Sequence, residues 1–133
     1  MANLHRRTIL GALMATPALA DTSWPQRSIR LVVPFAPGGP TDSMARVLSS
    51  GLAGLLGQPV VVENRAGGGG NVGTAAVARA TPDGHTLIVV STGFVVNISL
   101  FKTPGYATSE FAPITELGAS PNVLLATPSS GLD

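Results

Sequence analysis

Two glycine-rich segments carry the residues best suited to bind an anion. Residues 34–42 read PFAPGGPTD, and residues 63–74 read ENRAGGGGNVGT. Glycine has no Cβ, so a ligand can approach its backbone N–H groups closely. A helix that begins directly after such a loop adds unpaired N–H groups and the positive end of its dipole. Both segments therefore predict anion-binding loops.

The second segment contains the pattern G-x-G-x-x-G from Gly68 to Gly73, which is a weak signal for a dinucleotide in a glycine-rich chain. A dinucleotide site also needs an acidic residue about 20 positions further on, where this chain has Ser91 and Thr92. A P-loop needs a lysine beside the glycines, and neither segment contains one. The residues favour a small carboxylate held by about three to five N–H and hydroxyl donors.

Apolar runs around these segments predict strands, and three- and four-residue repeats predict helices. The predicted strands are residues 29–34, 60–62, 85–90, 114–117 and 122–126. The predicted helices are one that follows Thr41 and Asp42 and stops at Gly57, and two more at residues 74–80 and 94–101. Strands that are apolar throughout are typical of a parallel sheet covered on both faces. The fold class is therefore α/β, a doubly wound and mostly parallel sheet, with three loops at its carboxyl edge.

Three motifs follow in order: PFAPGGPTD at residues 34–42, VVENRAGGGGNVGT at 61–74 and PDGHTL at 82–87. Together they closely resemble the Bug-type extracytoplasmic solute receptors, the binding proteins of tripartite tricarboxylate transporters. The resemblance extends from about Trp24 to Pro128. It implies a two-lobed periplasmic binding protein of type II that binds a small organic carboxylate and does no chemistry on it. It also implies the membrane components of such a transporter as partners, and no cofactor.

The resemblance implies that both glycine loops hold one carboxylate, partly through ordered waters, and that further residues line the same cleft. The expected ligand-binding residues are Phe35, Gly38, Gly39, Thr41, Asp42, Gly69, Gly70, Asn71, Thr74, Ser91 and Thr92. Four of them have an open alternative, because Thr41 and Asp42 can cap the first helix and Asn71 and Thr74 the second. Residues 95–99, VVNIS, depart from the family's His-x-Ile-Asn-Pro-like stretch.

Residues 1–20 have the features of a signal peptide: Arg6 and Arg7, a short apolar run, and the sequence ALA ending at Ala20. We expect export to the periplasm with cleavage after about Ala20, by either the Sec or the twin-arginine route. The apolar run is too short for ~30 Å of hydrocarbon, so we expect no membrane span in the mature chain. By comparison with the longer family members, residues 21–112 would form the first part of lobe 1. Residues 113–133 would hold the crossing strands and the start of a truncated lobe 2.

Composition excludes several classes of function. The sequence has no cysteine and two histidines, His5 and His85, so we expect no disulfide and no metal site. Residues 21–133 hold six Lys and Arg against seven Asp and Glu with no basic cluster, which argues against nucleic acid. We expect a monomer with no catalytic residues. Two alternatives stay open: a non-functional truncated remnant, and an exported α/β hydrolase using Ser91 or Asp42, although the Gly-x-Ser-x-Gly elbow is missing.

Overall fold

The computed structural model describes residues 23–119, 121, 123 and 125–131, so the predicted signal peptide lies outside the described residues. Strands β1 (Ile29–Val33), β2 (Val60–Asn64) and β3 (Thr86–Ile88) form a parallel sheet in the order β2-β1-β3. Leu31 of β1 lies opposite Val62 of β2 and Leu87 of β3. The parallel α/β sheet predicted from the valine-rich runs is confirmed for this part of the chain.

Each strand leads through a loop into a helix: α1 (Pro40–Leu56), α2 (Asn71–Ala78) and α3 (Gly93–Leu100). Helix α1 has a proline in its first turn, where the missing N–H costs nothing. It ends at Gly57, whose φ of 66° lies in the left-handed region favoured by glycine, and the Gly57 N–H donates to the carbonyl of Ala53. Helix α2 begins at Asn71, three residues earlier than predicted, and Gly73 lies in its first turn.

The alternative of side-chain caps is wrong for both helices. Gly39 is the N-cap of α1 and Gly70 is the N-cap of α2, and neither has a side chain to cap with. Thr41 and Asp42 lie inside the first turn of α1, and Asn71 is the first residue of α2. Gly70 has a φ of 101°, which favours glycine at this cap, whereas Gly39 has an extended backbone that any residue can adopt.

The core lies between the sheet and helix α1. Ile29, Leu31 and Val33 of β1 are 0 to 2% exposed and form one buried cluster with Ala45 of α1. Val32 points to the opposite face, as alternation along a strand requires, and is 1% exposed. Burial on both faces makes β1 the central strand. It fixes the carboxyl end of β1, from which the first glycine-rich loop extends.

The strand predicted at residues 114–117 is wrong, since the structure assigns those residues to no strand. A strand needs a neighbour that accepts and donates its backbone hydrogen bonds. No described segment pairs with these residues, and the side chain of Ile114 is 77% exposed. Asn122 and Leu124 of the strand predicted at 122–126 lie outside the described residues, and the described residues of that stretch form no strand. The division into two lobes stays a prediction.

Candidate ligand-binding site

The three loops that follow the strands meet at the carboxyl edge of the sheet. A Cβ built on Gly70 in the second loop would lie 3.4 Å from Cζ of Phe35 in the first. A Cβ built on Gly93, at the start of α3, would lie 4.0 Å from the carbonyl oxygen of Gly69. The first turns of α2 and α3 therefore lie beside the loop that precedes α2, as the topology of open α/β sheets predicts.

Residues 67–70, which we call the glycine loop, use a backbone conformation that requires glycine. Their φ angles are 140°, 55°, 66° and 101°, all in the region that other L-residues rarely adopt. The carbonyl of Gly67 accepts hydrogen bonds from the N–H groups of Gly70, at 3.0 Å, and Val72, at 3.3 Å. The run of four glycines is therefore explained by the shape of the loop itself, whatever the loop binds.

Helix α3 holds the glycine loop through Asn97, whose importance could not be read from its sequence context. Asn97 is buried, and its Nδ2 donates to the carbonyl of Gly69 at 3.0 Å and to Oδ1 of Asn71 at 2.8 Å. The only sequence signal is one amide within the apolar helix GFVVNISL, because a buried amide needs hydrogen-bond partners. Asn97 thus ties the loop after β2 to the helix after β3.

Two further residues of α2, Thr74 and Gly73, make contacts that stabilise the fold. The hydroxyl of Thr74 donates to the carbonyl of Gly70 at 2.9 Å, four residues earlier in the chain. A Cβ on Gly73 would lie 2.7 Å from the carbonyl oxygen of Arg65 and 2.9 Å from Cα of Pro34. The last glycine of the G-x-G-x-x-G pattern is therefore needed for close packing of α2 on the end of β1.

Two hollows open at this edge, and Ser91 lines both. The smaller, about 10 Å³, has room for roughly one water, and Phe35, Gly69, Gly70 and Thr74 line it with Ser91. None of the described residues in its lining carries a charged side chain. The larger hollow, about 600 Å³, has the predicted residues Thr41, Ser91 and Thr92 in its lining, together with Glu116. A carboxylate is therefore disfavoured near Glu116 and better placed toward the uncharged end at Ser91.

The remaining predicted residues lie beside these hollows. Gly38 and Gly39 precede α1 but line neither hollow. Asn71 is turned toward Asn97 and lines a separate depression between α2 and residues 101–105. The structure thus brings Phe35, Thr41, Gly69, Gly70, Thr74, Ser91 and Thr92 to the hollows. Contact between any predicted residue and a ligand stays a prediction.

Asp42 anchors the first loop with a carboxylate whose oxygens are already engaged. It is 3% exposed and accepts hydrogen bonds from Nε of Arg46, Nδ2 of Asn64 and the N–H of Gly38, each at 2.9 Å. The hydrogen bond from Arg46, followed by those from Gly38 and Asn64, lowers the pKa of Asp42 to about 2. Asn64 also donates to the carbonyl of Phe35, so this network joins the first loop to α1 and β2.

The described part of the chain offers no metal site and no membrane-spanning helix. Among residues 23–119, 121, 123 and 125–131, no three histidine, cysteine or acidic side chains cluster as metal ligands would. Within the same residues, no helix combines the length and the apolar character needed to cross a bilayer.

Comparison with known protein families identifies the family to which this chain belongs. Residues 44–133 match the model of the Tripartite tricarboxylate transporter family receptor, TctC. The chain belongs to this family. Protein BugT of Bordetella pertussis is 46% identical to it over 128 residues, and a UPF0065 protein of the same organism is 42% identical over 126 residues. Each alignment covers 94% of this chain and 39% of the relative, so the chain spans about two fifths of their length.

Solved structures confirm the fold of this TctC-family chain. The periplasmic binding protein BugD is 50% identical with a TM-score of 0.61, over 63% of this chain and 28% of that one. Rpa4515 of R. palustris, solved with adipate, is 39% identical with a TM-score of 0.63, over 65% of this chain and 29% of that one. The resemblance and the periplasmic-binding-protein fold class inferred from the three motifs are confirmed.

Proposed function

We propose that the chain captures a small organic carboxylate outside the cytoplasm for a transporter of the tripartite tricarboxylate type. Membership of the receptor family supports a binding role without catalysis, and the likeness to periplasmic BugD supports export. The relative solved with adipate supports a carboxylate ligand. The observation that carries the proposal is the meeting of three strand-end loops at Ser91, which lines both the uncharged hollow of about 10 Å³ and the adjoining hollow of about 600 Å³ that has room for a ligand.

The attraction for a carboxylate would come from neutral donors. Helices α1, α2 and α3 begin at this edge, so their first N–H groups and positive dipole ends lie near the loops. The Ser91 hydroxyl can donate one further hydrogen bond. Each hydrogen bond to a charged group contributes about 1.5–3 kcal/mol. A few such bonds, less the ordering cost of binding, correspond to a dissociation constant in the millimolar range for this chain alone.

The hydrolase alternative has less support than the receptor. Asp42 is held charged by Arg46, Gly38 and Asn64, which lower its pKa to about 2, so it is a poor proton acceptor near neutral pH. Ser91 follows β3 in the sequence VVSTGF, which lacks the Gly-x-Ser-x-Gly elbow. A serine without a positioned base is a weak nucleophile.

Titration of the ¹⁵N-labelled chain with adipate, followed by two-dimensional NMR, tests the proposal. We expect adipate to shift the amide signals of Gly69, Gly70 and Ser91, and we expect the uncharged analogue adipamide to leave them in place. Ser91→Ala should weaken binding about tenfold or more, because it removes a hydrogen bond to a charged group. Ser50→Ala, on the exposed side of α1, is the matched control and should change nothing.

The result that would overturn the proposal is the absence of any shift at these amides with a panel of mono-, di- and tricarboxylates. Equal shifts from adipate and adipamide would also count against it, because the proposed donors recognise negative charge. A Ser91→Ala variant that binds adipate as tightly as the unmodified chain would show that Ser91 and its hollow are not part of the binding site.

A further inference from the structure

A second hollow lies at the opposite edge of the sheet, where β1 and β3 begin. Its volume is about 470 Å³, and its lining includes Arg27, Arg30, Arg79, Asp83, His85 and Thr86. We call it the arginine hollow. Arg30 is the second residue of β1 and Thr86 is the first of β3. The arginine hollow is therefore separated from Ser91 by the length of the strands.

The charges around the arginine hollow do not balance. Nη2 of Arg27 forms an ion pair with Oδ2 of Asp83 at 2.7 Å. Nε of Arg30 lies 3.5 Å from Oε2 of Glu63, which is outside the lining. The guanidinium of Arg79 has no ion-pair partner among the residues that the structure describes. The lining therefore contains three arginines and a single carboxylate, and Arg79 is the arginine of this lining without an ion-pair partner among the described residues.

His85 supplies an independent observation that points to a ligand. Its side chain is 9% exposed, and within the described residues neither ring nitrogen has a hydrogen-bond partner. Nδ1 lies 3.5 Å from Oδ1 of Asp83, and the ring of Trp24 packs against the imidazole edge-on at 5.7 Å between centroids. A buried polar atom without a partner is unfavourable, and native proteins rarely leave one without a reason.

We propose that the arginine hollow binds a phosphate group, either free or carried by a lipid headgroup. A guanidinium group presents a planar fork of N–H donors that matches two phosphate oxygens at once, and Arg79 is available to do so. Thr86 adds a hydroxyl to the same lining. A tetrahedral oxyanion bound in the arginine hollow would neutralise the charge of Arg79 and would offer an acceptor to the imidazole of His85, which lines the same hollow. This site is independent of the carboxylate site at Ser91.

Titration with inorganic phosphate, monitored by NMR, tests this proposal on the whole chain. We expect shifts in the ring signals of His85, assigned with a His85→Gln variant, and in the side-chain signals of Arg79. Arg79→Gln should weaken phosphate binding about tenfold, because it removes a charged bidentate donor. Lys102→Gln removes the same charge from an exposed residue outside the arginine hollow and is the matched control. Ser91→Ala should leave phosphate binding unchanged.

A sedimentation assay with lipid vesicles distinguishes free phosphate from the phosphate of a lipid headgroup. Binding to phosphatidylglycerol vesicles that free phosphate competes away, and that Arg79→Gln weakens, would assign a lipid headgroup. Phosphate-induced shifts without vesicle binding would assign free phosphate. The proposal is wrong if phosphate leaves the His85 signals unmoved and vesicles do not bind. It is also wrong if Lys102→Gln weakens either interaction as much as Arg79→Gln, since the attraction would then be general.

Discussion

The substitution Gly73→Ala tests whether the close contact between α2 and β1 holds the glycine loop in place. The added Cβ would lie 2.7 Å from the Arg65 carbonyl oxygen and 2.9 Å from Cα of Pro34. Both contacts are to backbone, so no flexible side chain can move aside. Overpacking costs about 1–3 kcal/mol, and this site belongs at the upper end. Replacing a helical glycine with alanine recovers about 1 kcal/mol, which leaves a net loss of about 2 kcal/mol.

Urea and thermal unfolding measure this loss directly. A loss of about 2 kcal/mol corresponds to a fall in Tm of about 8–16 °C for a domain of this size. Gly51→Ala is the matched control, because Gly51 lies within α1 and a Cβ there would meet nothing within 4 Å. The control should therefore gain up to about 1 kcal/mol. The same chemical change is expected to act in opposite directions at the two positions.

Two results with the alanine variants would refute the role given to Gly73. If Gly73→Ala raised the urea midpoint as Gly51→Ala does, α2 would be free to move away from Pro34, and the packing explanation for this glycine would be wrong. If Gly73→Ala lowered stability but left adipate binding unchanged, the conformation of the glycine loop would not depend on the packing of α2 against β1. The proposed link between packing and binding would then fail.

Two further predictions concern polar groups around the loops. The pKa of Asp42 is lowered from 3.8 to about 2, so its carboxylate contributes stability above pH 3.8 that is lost as the pH falls toward 2. The Asp42→Asn variant should therefore lose less stability over that pH range in acid-unfolding curves. A variant whose stability falls with pH as steeply as that of the unmodified chain would refute this. Asn97→Leu should cost about 1–3 kcal/mol in urea unfolding and weaken adipate binding, because Gly69 and Asn71 lose their donor. The exposed Ser99→Ala on the same helix should stay within about 0.5 kcal/mol, and equal effects would contradict the role of Asn97.

The sheet and its helices could be predicted because local patterns determine them. Valine-rich runs such as residues 60–62 are bounded by turn residues, and α1 shows a regular apolar repeat that ends at Gly57. Apolar repeats and turn residues are recognised within windows of a few residues, so one sequence is enough to read them. The family resemblance came from the same loops, since their glycines are required by backbone geometry as well as by any ligand.

Features that depend on distant residues could not be predicted. Asn97 contacts Gly69, 28 positions away, and nothing near Asn97 in the sequence names that partner. The network of Asp42 with Asn64 spans 22 positions, so local reasoning suggested an N-cap instead. Residues 114–117 have the composition of a strand, but a strand forms only where another strand lies alongside. These errors share one cause, which is that pairing between distant segments is not encoded locally.

The two proposed anion sites, at the carboxyl edge and at the arginine hollow, would attract anions by different means. The arginines nearest the loops already form ion pairs, Arg46 with Asp42 and Arg65 with Glu63, which Arg65 shares with Arg30. What is left at the Ser91 hollow is a set of short-range, directional donors from helix ends and hydroxyl groups. Such donors discriminate between ligands by their shape, because hydrogen bonds are short and directional. The formal charge of Arg79 acts at longer range and favours any negatively charged ligand. Because a parallel sheet directs every helix N-terminus to its carboxyl edge, one small fold can present both kinds of anion site without interference between them.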